Sequence, residues 1–182
     1  MKSDIQDTRV ESGRVAVCRA RGVLRAGAIG SCVVVVACDC KVRVGGMAHV
    51  MLPGAFHRGG LLEKTSYARN AVEKMRERMA ALGAEVQRIR VCLVGGANVL
   101  GDGHDSPGAS VVESLTSILD EAGMVVVARE VGGTRRRSCL LDMARGTVSY
   151  TTADSAPSVL MRMWRVKEPR GPADPDEETS LG

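Results

Sequence analysis

Aromatic residues are scarce in this sequence: one Trp, two Tyr and one Phe make up 2% of its 182 residues. Proteins that bind single-stranded nucleic acid stack bases on aromatic side chains, so we expect no nucleic-acid partner. Long apolar runs are also missing, because the longest, Cys32 to Cys38, is far shorter than the roughly 20 residues that span a bilayer. Residues 1–13 contain no apolar stretch of the kind found in export signals. We therefore expect a cytoplasmic protein without direct membrane insertion.

The distribution of charge divides the chain into a body and tails. The formal net charge is +4, yet residues 167–182 hold two basic residues against five acidic ones, together with three prolines and almost nothing apolar. Such a segment cannot bury enough surface to offset the entropy of ordering, so we predict a disordered acidic C-terminal tail. Residues 1–12 are predicted to be a disordered N-terminal tail. The remainder, residues 13–166, has the size of one domain.

Hydrophobic periodicity predicts seven strand segments and two helices in this domain. One amphipathic helix is predicted from Ala68 to Leu82, and a second begins either at Ser106-Pro107 or at a capping box from Ser110 to Glu113. Strands in hairpins, rather than a strict alternation of strand and helix, favour an α+β sandwich with a mixed β-sheet. The predicted strands are 13–19, 31–39, 41–52, 88–97, 124–130, 138–144 and 146–152.

The stretch Gly30-Ser31-Cys32 precedes a buried strand, and His49 follows Cys32 by seventeen positions. A thiol is a strong nucleophile only as the thiolate, which requires a nearby base or a positive local field. A hairpin turn close to Asp39 would bring His49 back beside Cys32 on the same face. On spacing alone, a small buried cysteine and a structural histidine are the favoured interpretation, and a catalytic pair is the alternative.

Cys32 and His49 belong to a longer series of sequence motifs. Several motifs, in the same order, closely resemble the signature of the CheD family of chemoreceptor glutamine deamidases. They extend over roughly residues 13–150 and comprise Gly30-Ser31-Cys32-Val33, Asp39, Gly45-x-x-x-His49-x-x-Leu52-Pro53, Tyr67-Ala68, Gly95-Gly96-Ala97 and Gly132-Gly133-x-x-Arg136.

The resemblance implies a single-domain α+β sandwich similar to the cysteine-hydrolase fold of the cytotoxic necrotizing factor toxins. It also implies a protein-glutamine glutaminase that hydrolyses glutamine side-chain amides of methyl-accepting chemoreceptor cytoplasmic domains. Glutamyl methyl esters are a related substrate. Cys32 and His49 match the catalytic pair, and no metal or cofactor is implied. Gly30 and Ser31 are the supporting residues, while a substrate helix would approach closely at Gly132 and Gly133, which have no Cβ.

The sequence departs from the family pattern at two places. The usual third catalytic residue, a threonine six positions before the cysteine, is Ala26 here, and the usual Ile-Gly-x-Arg-Asn loop is replaced by residues 107–111, "PGASV". Ser31 or a backbone carbonyl could orient His49 instead. The alternative reading is a weakly active or inactive adaptor that binds a CheC-type phosphatase or receptors.

Other candidate sites are weaker. Cys38-Asp39-Cys40 suggests a metal site, but no second Cys/His pair at ligand spacing accompanies it, and we expect the two side chains to point to opposite faces. His57 and His104 lie in polar, Gly-rich stretches and are predicted to be surface residues. The six cysteines are predicted to be reduced thiols.

Overall fold

The computed structural model describes residues 6–60, 62–99 and 106–164. These stretches form ten strands and two helices, with short 3₁₀ turns at Lys64–Ser66 and Val86–Arg88. Neither helix in them has the length and apolar content needed to cross a membrane. The helices are α1 (Ala68–Ala81) and α2 (Pro107–Glu121); the strands are β1 (Asp7–Arg9), β2 (Val15–Cys18), β3 (Val23–Ile29), β4 (Val33–Asp39), β5 (Val44–Val50), β6 (Ile89–Gly95), β7 (Val125–Val131), β8 (Arg137–Asp142), β9 (Thr147–Thr152) and β10 (Ser158–Arg162).

The strands form two five-stranded sheets. Sheet I has the order β1-β3-β8-β9-β10, and sheet II has the order β2-β5-β4-β6-β7. Each is mixed, because β1 runs parallel to β3 and β6 runs parallel to β7, while the other neighbours are antiparallel. The α+β class is as predicted, but the one mixed sheet that we expected is a pair of mixed sheets.

Strand β4 lies at the centre of the molecule, and all seven of its residues are buried. Successive side chains of a strand point to opposite faces. Val33, Val35 and Ala37 pack with buried residues of α1 and α2, whereas Val34 and Val36 pack with β3, β8 and β9 of sheet I. The layers are therefore helices, sheet II and sheet I, which explains why this strand is a continuous apolar run.

Three strands were not predicted, namely β1, β3 and β10. Strand β3 reads VLRAGAI and alternates exposed with buried residues, and its Arg, Ala and Gly residues weaken the sequence signal for a strand. The tail predicted at residues 1–12 is wrong where it is described, because Asp7–Arg9 pairs with β3. The predicted C-terminal tail, residues 167–182, and His104 lie outside the described residues.

Helix α2 begins at the first of its two predicted starts, with Ser106 in the N-cap position and Pro107 in the first turn. Gly108 lies directly against the end of β6, where a Cβ on it would stand 2.6 Å from the backbone carbonyl atoms of Gly96. This close approach requires glycine at residue 108. It places the start of α2 beside the residues that follow β6.

Asp39 anchors the end of β4. Its buried carboxylate accepts hydrogen bonds from the backbone amides of Lys41 and Glu85, each at 3.0 Å, and pairs with Arg88 at 2.8 Å. Burial acts to raise the pKa of this carboxyl group, but Arg88 and the two amides outweigh burial and hold the pKa below its usual value of 3.8. The ionised form of Asp39 therefore stabilises the fold.

Candidate active site

The hairpin of β4 and β5 brings Cys32 and His49 to one face of sheet II. His49 is paired directly with Val34, and Cys32 lies two residues before Val34. Paired residues of antiparallel strands share a face, as do residues two apart in one strand. Cys32 itself lies one residue before β4 and packs, partly buried, against the cluster between the two sheets that contains Val34. The side chains of Cys32 and His49 therefore lie on the side of sheet II that is turned toward sheet I.

His49 is held in one orientation by backbone groups. The side chain is 2% exposed, and its Nδ1 lies 3.2 Å from the carbonyl oxygen of Val10. A carbonyl only accepts hydrogen bonds, so Nδ1 carries the proton and Nε2 carries the lone pair. Nε2 is buried and has no hydrogen-bond partner among the described residues. It is therefore a free acceptor on the ring that neighbours Cys32.

The protonation state of His49 follows from its burial. Burial lowers the pKa of the imidazole below 6.5, against the opposing effects of the Val10 carbonyl and the Glu11 charge. Burial disfavours the charged form of a base. His49 is thus neutral at pH 7, with Nε2 able to accept a proton.

Cys32 lines a cavity of about 380 Å³, together with Ala28, Gly30, Ser31, Ala97, Asn98, Val99, Pro107 and Arg136. Its side chain is half-buried, and only Cys40 among the other five cysteines is also not buried. Burial raises the pKa of the Cys32 thiol, while hydrogen bonds from the Ser12 side chain and from the backbone of Cys32 lower it. The resting pair is therefore a neutral thiol and a neutral imidazole.

The turn into β4 is strained at Ala28, not at a glycine. Ala28 has a φ of 53°, in the left-handed region that costs L-residues energy, whereas Gly30 has no positive φ. Gly30 instead accepts a hydrogen bond from the amide of Ala97 at 2.9 Å. Gly30 and Ser31, the two residues predicted to support catalysis, both line the Cys32 cavity. The positive φ angle in this turn belongs to Ala28, which the sequence patterns did not single out.

Gly132 and Gly133 lie in the turn after β7 and adopt positive φ angles of 78° and 67°. The carbonyl of Gly133 accepts a hydrogen bond from the amide of Asn98 at 2.8 Å. Both glycines line a second cavity, of about 660 Å³, between α2 and β7. Asn98 lines this cavity and the Cys32 cavity alike, so the two cavities adjoin.

Ala26 is buried in the core between the two sheets and offers no hydroxyl to the imidazole. The Val10 carbonyl orients His49 instead, which was one of the alternatives considered above. Val10 was missed because the segment that contains it was predicted to be a disordered tail. No sequence signal marks a backbone carbonyl as a histidine partner.

The remaining candidates stay apart from this site. The sulfur atoms of Cys38 and Cys40 are 3.9 Å apart, so the expectation that the two side chains point to opposite faces is wrong: residues two apart share a face. In the parts of the chain that the structure describes, no group of three or more His, Cys, Asp and Glu residues could hold a metal ion. His57 is exposed and lies near the rings of Phe56 and Tyr67.

Fold and site together define a class: a two-sheet α+β domain in which a half-buried cysteine at a cavity has a buried neutral histidine as its neighbour. The family model described as "CheD chemotactic sensory transduction" matches residues 51–152. That range begins two residues after His49. The chain belongs to the CheD family.

Curated relatives extend the similarity over most of the chain. The "Chemoreceptor glutamine deamidase CheD" of Thermotoga maritima is 36% identical over 135 residues, which cover 74% of this chain and 84% of the relative. The "Probable chemoreceptor glutamine deamidase CheD" of Chlorobium luteolum is 34% identical, with 82% of this chain and 74% of the relative covered. The protein of that name from Geobacillus kaustophilus is 34% identical, with 83% and 95% covered.

Proposed function

We propose that this protein is a chemoreceptor glutamine deamidase in which Cys32 is the nucleophile and His49 the general acid and base. The observation that carries the proposal is the buried, unpartnered Nε2 of His49 on the face that Cys32 shares. The Val10 carbonyl fixes the ring so that this nitrogen holds the lone pair. The names of the curated relatives supply the substrate class.

The first half of the reaction forms a thioester. As the Cys32 sulfur attacks the carboxamide carbon of a glutamine, the thiol proton moves to Nε2 of His49. The tetrahedral intermediate then collapses, and His49 returns that proton to the departing nitrogen, which leaves as ammonia. The glutamyl group is now bonded to the Cys32 sulfur.

The second half releases glutamate. His49 takes a proton from water as the water oxygen attacks the thioester carbon, and the proton then passes to the Cys32 sulfur as the carbon–sulfur bond breaks. The balance is one amide and one water converted to one carboxyl group and one ammonia, without a cofactor. A glutamyl methyl ester would pass through the same thioester, with methanol as the leaving group.

The substrate approaches through the two adjoining cavities. The Cys32 cavity accepts the glutamine side chain, and the larger cavity at Gly132 and Gly133 accepts the chain that carries it. Its lining includes apolar groups from Val112 and Val131 beside Glu113 and Arg129, which suits an amphipathic helix of a receptor cytoplasmic domain.

The proposal also includes the fold similarity, the domain bounds, the cellular location and the partners. The two-sheet sandwich is proposed to be similar to the cysteine-hydrolase fold of the cytotoxic necrotizing factor toxins. Residues 13–166 are proposed to be the deamidase domain, with the β1 strand added before it. The protein acts in the cytoplasm on receptor domains, with a CheC-type phosphatase as a further partner.

A second candidate, an adaptor with weak or no hydrolysis, is favoured by Ala26. Turnover of receptor glutamines at about 1 per second or faster, a rate typical of enzymes, would exclude it. If the missing hydroxyl limits the rate, Ala26→Thr should raise it; because the Val10 carbonyl already holds the ring, we expect no change.

The test is incubation with a purified receptor cytoplasmic fragment, followed by intact mass and ammonia release. Each deamidated site adds about one dalton, because an amide becomes a carboxyl group. Cys32→Ala should abolish the gain, whereas the control Cys40→Ala, which removes an exposed thiol away from the cavity, should leave it intact. Full activity in Cys32→Ala would refute the mechanism.

A further inference from the structure

Two cysteines outside the candidate active site contact each other where β4 runs into the turn toward β5. Cys38 lies one residue before the end of β4, and Cys40 lies one residue after it. Their sulfur atoms are 3.9 Å apart. We propose that Cys38 and Cys40 form a reversible redox site, whose two thiols are oxidised to a disulfide by a peroxide and restored by a small thiol. This site goes beyond the proposed deamidation and does not depend on it.

The two thiols differ in their access to solvent. Cys40 is exposed, whereas Cys38 is fully buried. A peroxide dissolved in water therefore meets the Cys40 sulfur first. Thiols that respond to oxidants are accessible to solvent and often stand next to a second cysteine that resolves the oxidised form. Cys40 has both features, and Cys38 is the resolving cysteine.

Asp39 lies between the two cysteines in sequence but not in space. Successive side chains of a strand point to opposite faces, and the Asp39 carboxylate pairs with Arg88 at 2.8 Å and accepts from the Glu85 amide at 3.0 Å. The same carboxylate accepts from the Lys41 amide at 3.0 Å. Asp39 thus anchors the backbone on both sides of Cys40 and leaves the two sulfurs in contact with each other.

The surroundings of Cys38 keep its thiol neutral in the resting protein. Its sulfur contacts Met143 Sδ at 4.0 Å in the apolar cluster between the two sheets. Burial and the neighbouring Cys40 raise the pKa of the Cys38 thiol above its usual value of 9.0. Cys38 therefore retains a proton, which can pass to a hydroxide that departs from the adjacent sulfur.

Oxidation proceeds in two steps. The Cys40 sulfur attacks one oxygen of hydrogen peroxide, the oxygen–oxygen bond breaks, and Cys40 becomes a sulfenic acid while its proton leaves with the other oxygen as water. The Cys38 sulfur then attacks the Cys40 sulfur, the sulfur–oxygen bond breaks, and the hydroxide takes the Cys38 proton and leaves as a second water. Two thiols and one peroxide give one disulfide and two waters. Two small thiols reverse the oxidation through a mixed disulfide.

The position of the pair favours a labile bridge over a structural one. The sulfur atoms must approach to about 2.05 Å. Cys38 is fixed within β4 by pairing with Gly45 and Arg90, so the approach comes from the exposed side chain of Cys40. A disulfide across one intervening residue closes a very short loop and gains little stability from chain entropy. A small thiol can therefore reduce it again.

The first test is oxidation of the purified chain by excess hydrogen peroxide, followed by alkylation of the remaining thiols with iodoacetamide and tryptic peptide mapping. Trypsin cuts after Arg25 and Lys41, so residues 26–41 form one peptide that contains Cys32, Cys38 and Cys40. We expect this peptide to lose about two daltons, the mass of the two hydrogens removed, and to keep one alkylated thiol. Dithiothreitol should restore all three thiols.

Variants identify the partners in the bridge. Cys32→Ala should show the same mass loss, because the proposed nucleophile takes no part. Cys18→Ala, which removes a buried thiol of the same apolar cluster, is the matched control and should behave as wild type. Cys40→Ser should form no bridge. In Cys38→Ala the oxidised Cys40 has no resolving thiol, so dimedone should trap it as the sulfenic acid.

Three results would overturn the inference: no mass loss in residues 26–41 after peroxide, a bridge that includes Cys32 or Cys18, or a bridge that persists in Cys40→Ser. Cys40→Ser changes an exposed side chain and should keep the fold, so the proposal stays testable if the buried Cys38→Ala variant does not fold. No readout uses a receptor fragment. Failure of the deamidation proposal and failure of this one are therefore distinguishable.

Discussion

Gly13 is the residue whose substitution tests the architecture of the site most sharply. A Cβ added there would stand 2.5 Å from Ser66 Oγ, closer than real Cβ contacts, and the φ of 75° is one that L-residues rarely adopt. Gly13→Ala therefore combines backbone strain, about 1–2 kcal/mol, with overpacking against a buried side chain, about 1–3 kcal/mol. We expect a loss of about 2–5 kcal/mol in the free energy of unfolding.

Ser66→Ala separates the two contributions. It removes the oxygen that the new Cβ would strike, while Ser66 Cβ lies at an ordinary 3.6 Å. The double variant should recover the overpacking part and keep the backbone part, giving a coupling energy of about 1–3 kcal/mol. Chemical denaturation and thermal melting measure both, with Tm lowered by roughly 4–20 °C in the single variant.

The same Gly13→Ala variant should also be impaired in kcat. Because the Gly13 amide donates to the His49 carbonyl, displacement of the segment around Gly13 should lower kcat even at temperatures where Gly13→Ala is fully folded. The reasoning is refuted if Gly13→Ala is within about 0.5 kcal/mol of wild type, or if Ser66→Ala fails to relieve it.

Three further predictions follow from charges and strain. The acid limb of the kcat/KM profile should have its midpoint below pH 6.5, because burial lowers the pKa of His49 and the neutral imidazole is the active form; a midpoint at pH 7 or above would contradict this. Ala28→Gly should raise unfolding free energy or leave it unchanged, within about 1 kcal/mol, since φ is 53°; a clear loss in chemical denaturation would show that the strain is absent. Asp39→Asn should cost about 2 kcal/mol at pH 7, and the difference from wild type should shrink as pH falls through the lowered pKa of Asp39; a difference constant from pH 7 to pH 3 would refute the role of its charge.

Strong periodicity explains which elements could be predicted. The apolar run of β4, the hairpin that returns His49, and the helical spacing of α1 each have a direct physical reading. The β4–β5 register pairs Val34 with His49, so the predicted hairpin does return His49 to the start of β4, which Cys32 precedes. Local sequence is informative here because burial on both faces leaves few alternative registers.

The rest depends on tertiary contacts that leave no local signal. Strand β3 contains Arg, Ala and Gly, and is a strand because it pairs with β8 and β1. The segment from Val10 to Gly13 is polar or charged in part, yet it is fixed by backbone hydrogen bonds to β3 and β5. The Val10 carbonyl could not be identified as the partner of the His49 imidazole until those pairings were known.

The most direct test of the Cys32 and His49 assignment is covalent capture by a substrate mimic. A receptor peptide that carries a diazoketone in place of the glutamine carboxamide alkylates an attacking thiolate with loss of nitrogen, and peptide mass mapping then locates the adduct. We predict that the adduct forms on Cys32 alone, at a rate that falls at least about tenfold in a His49→Gln variant that still folds. Labelling of another cysteine, or an undiminished rate without His49, would contradict the assignment of Cys32 as nucleophile and His49 as its base.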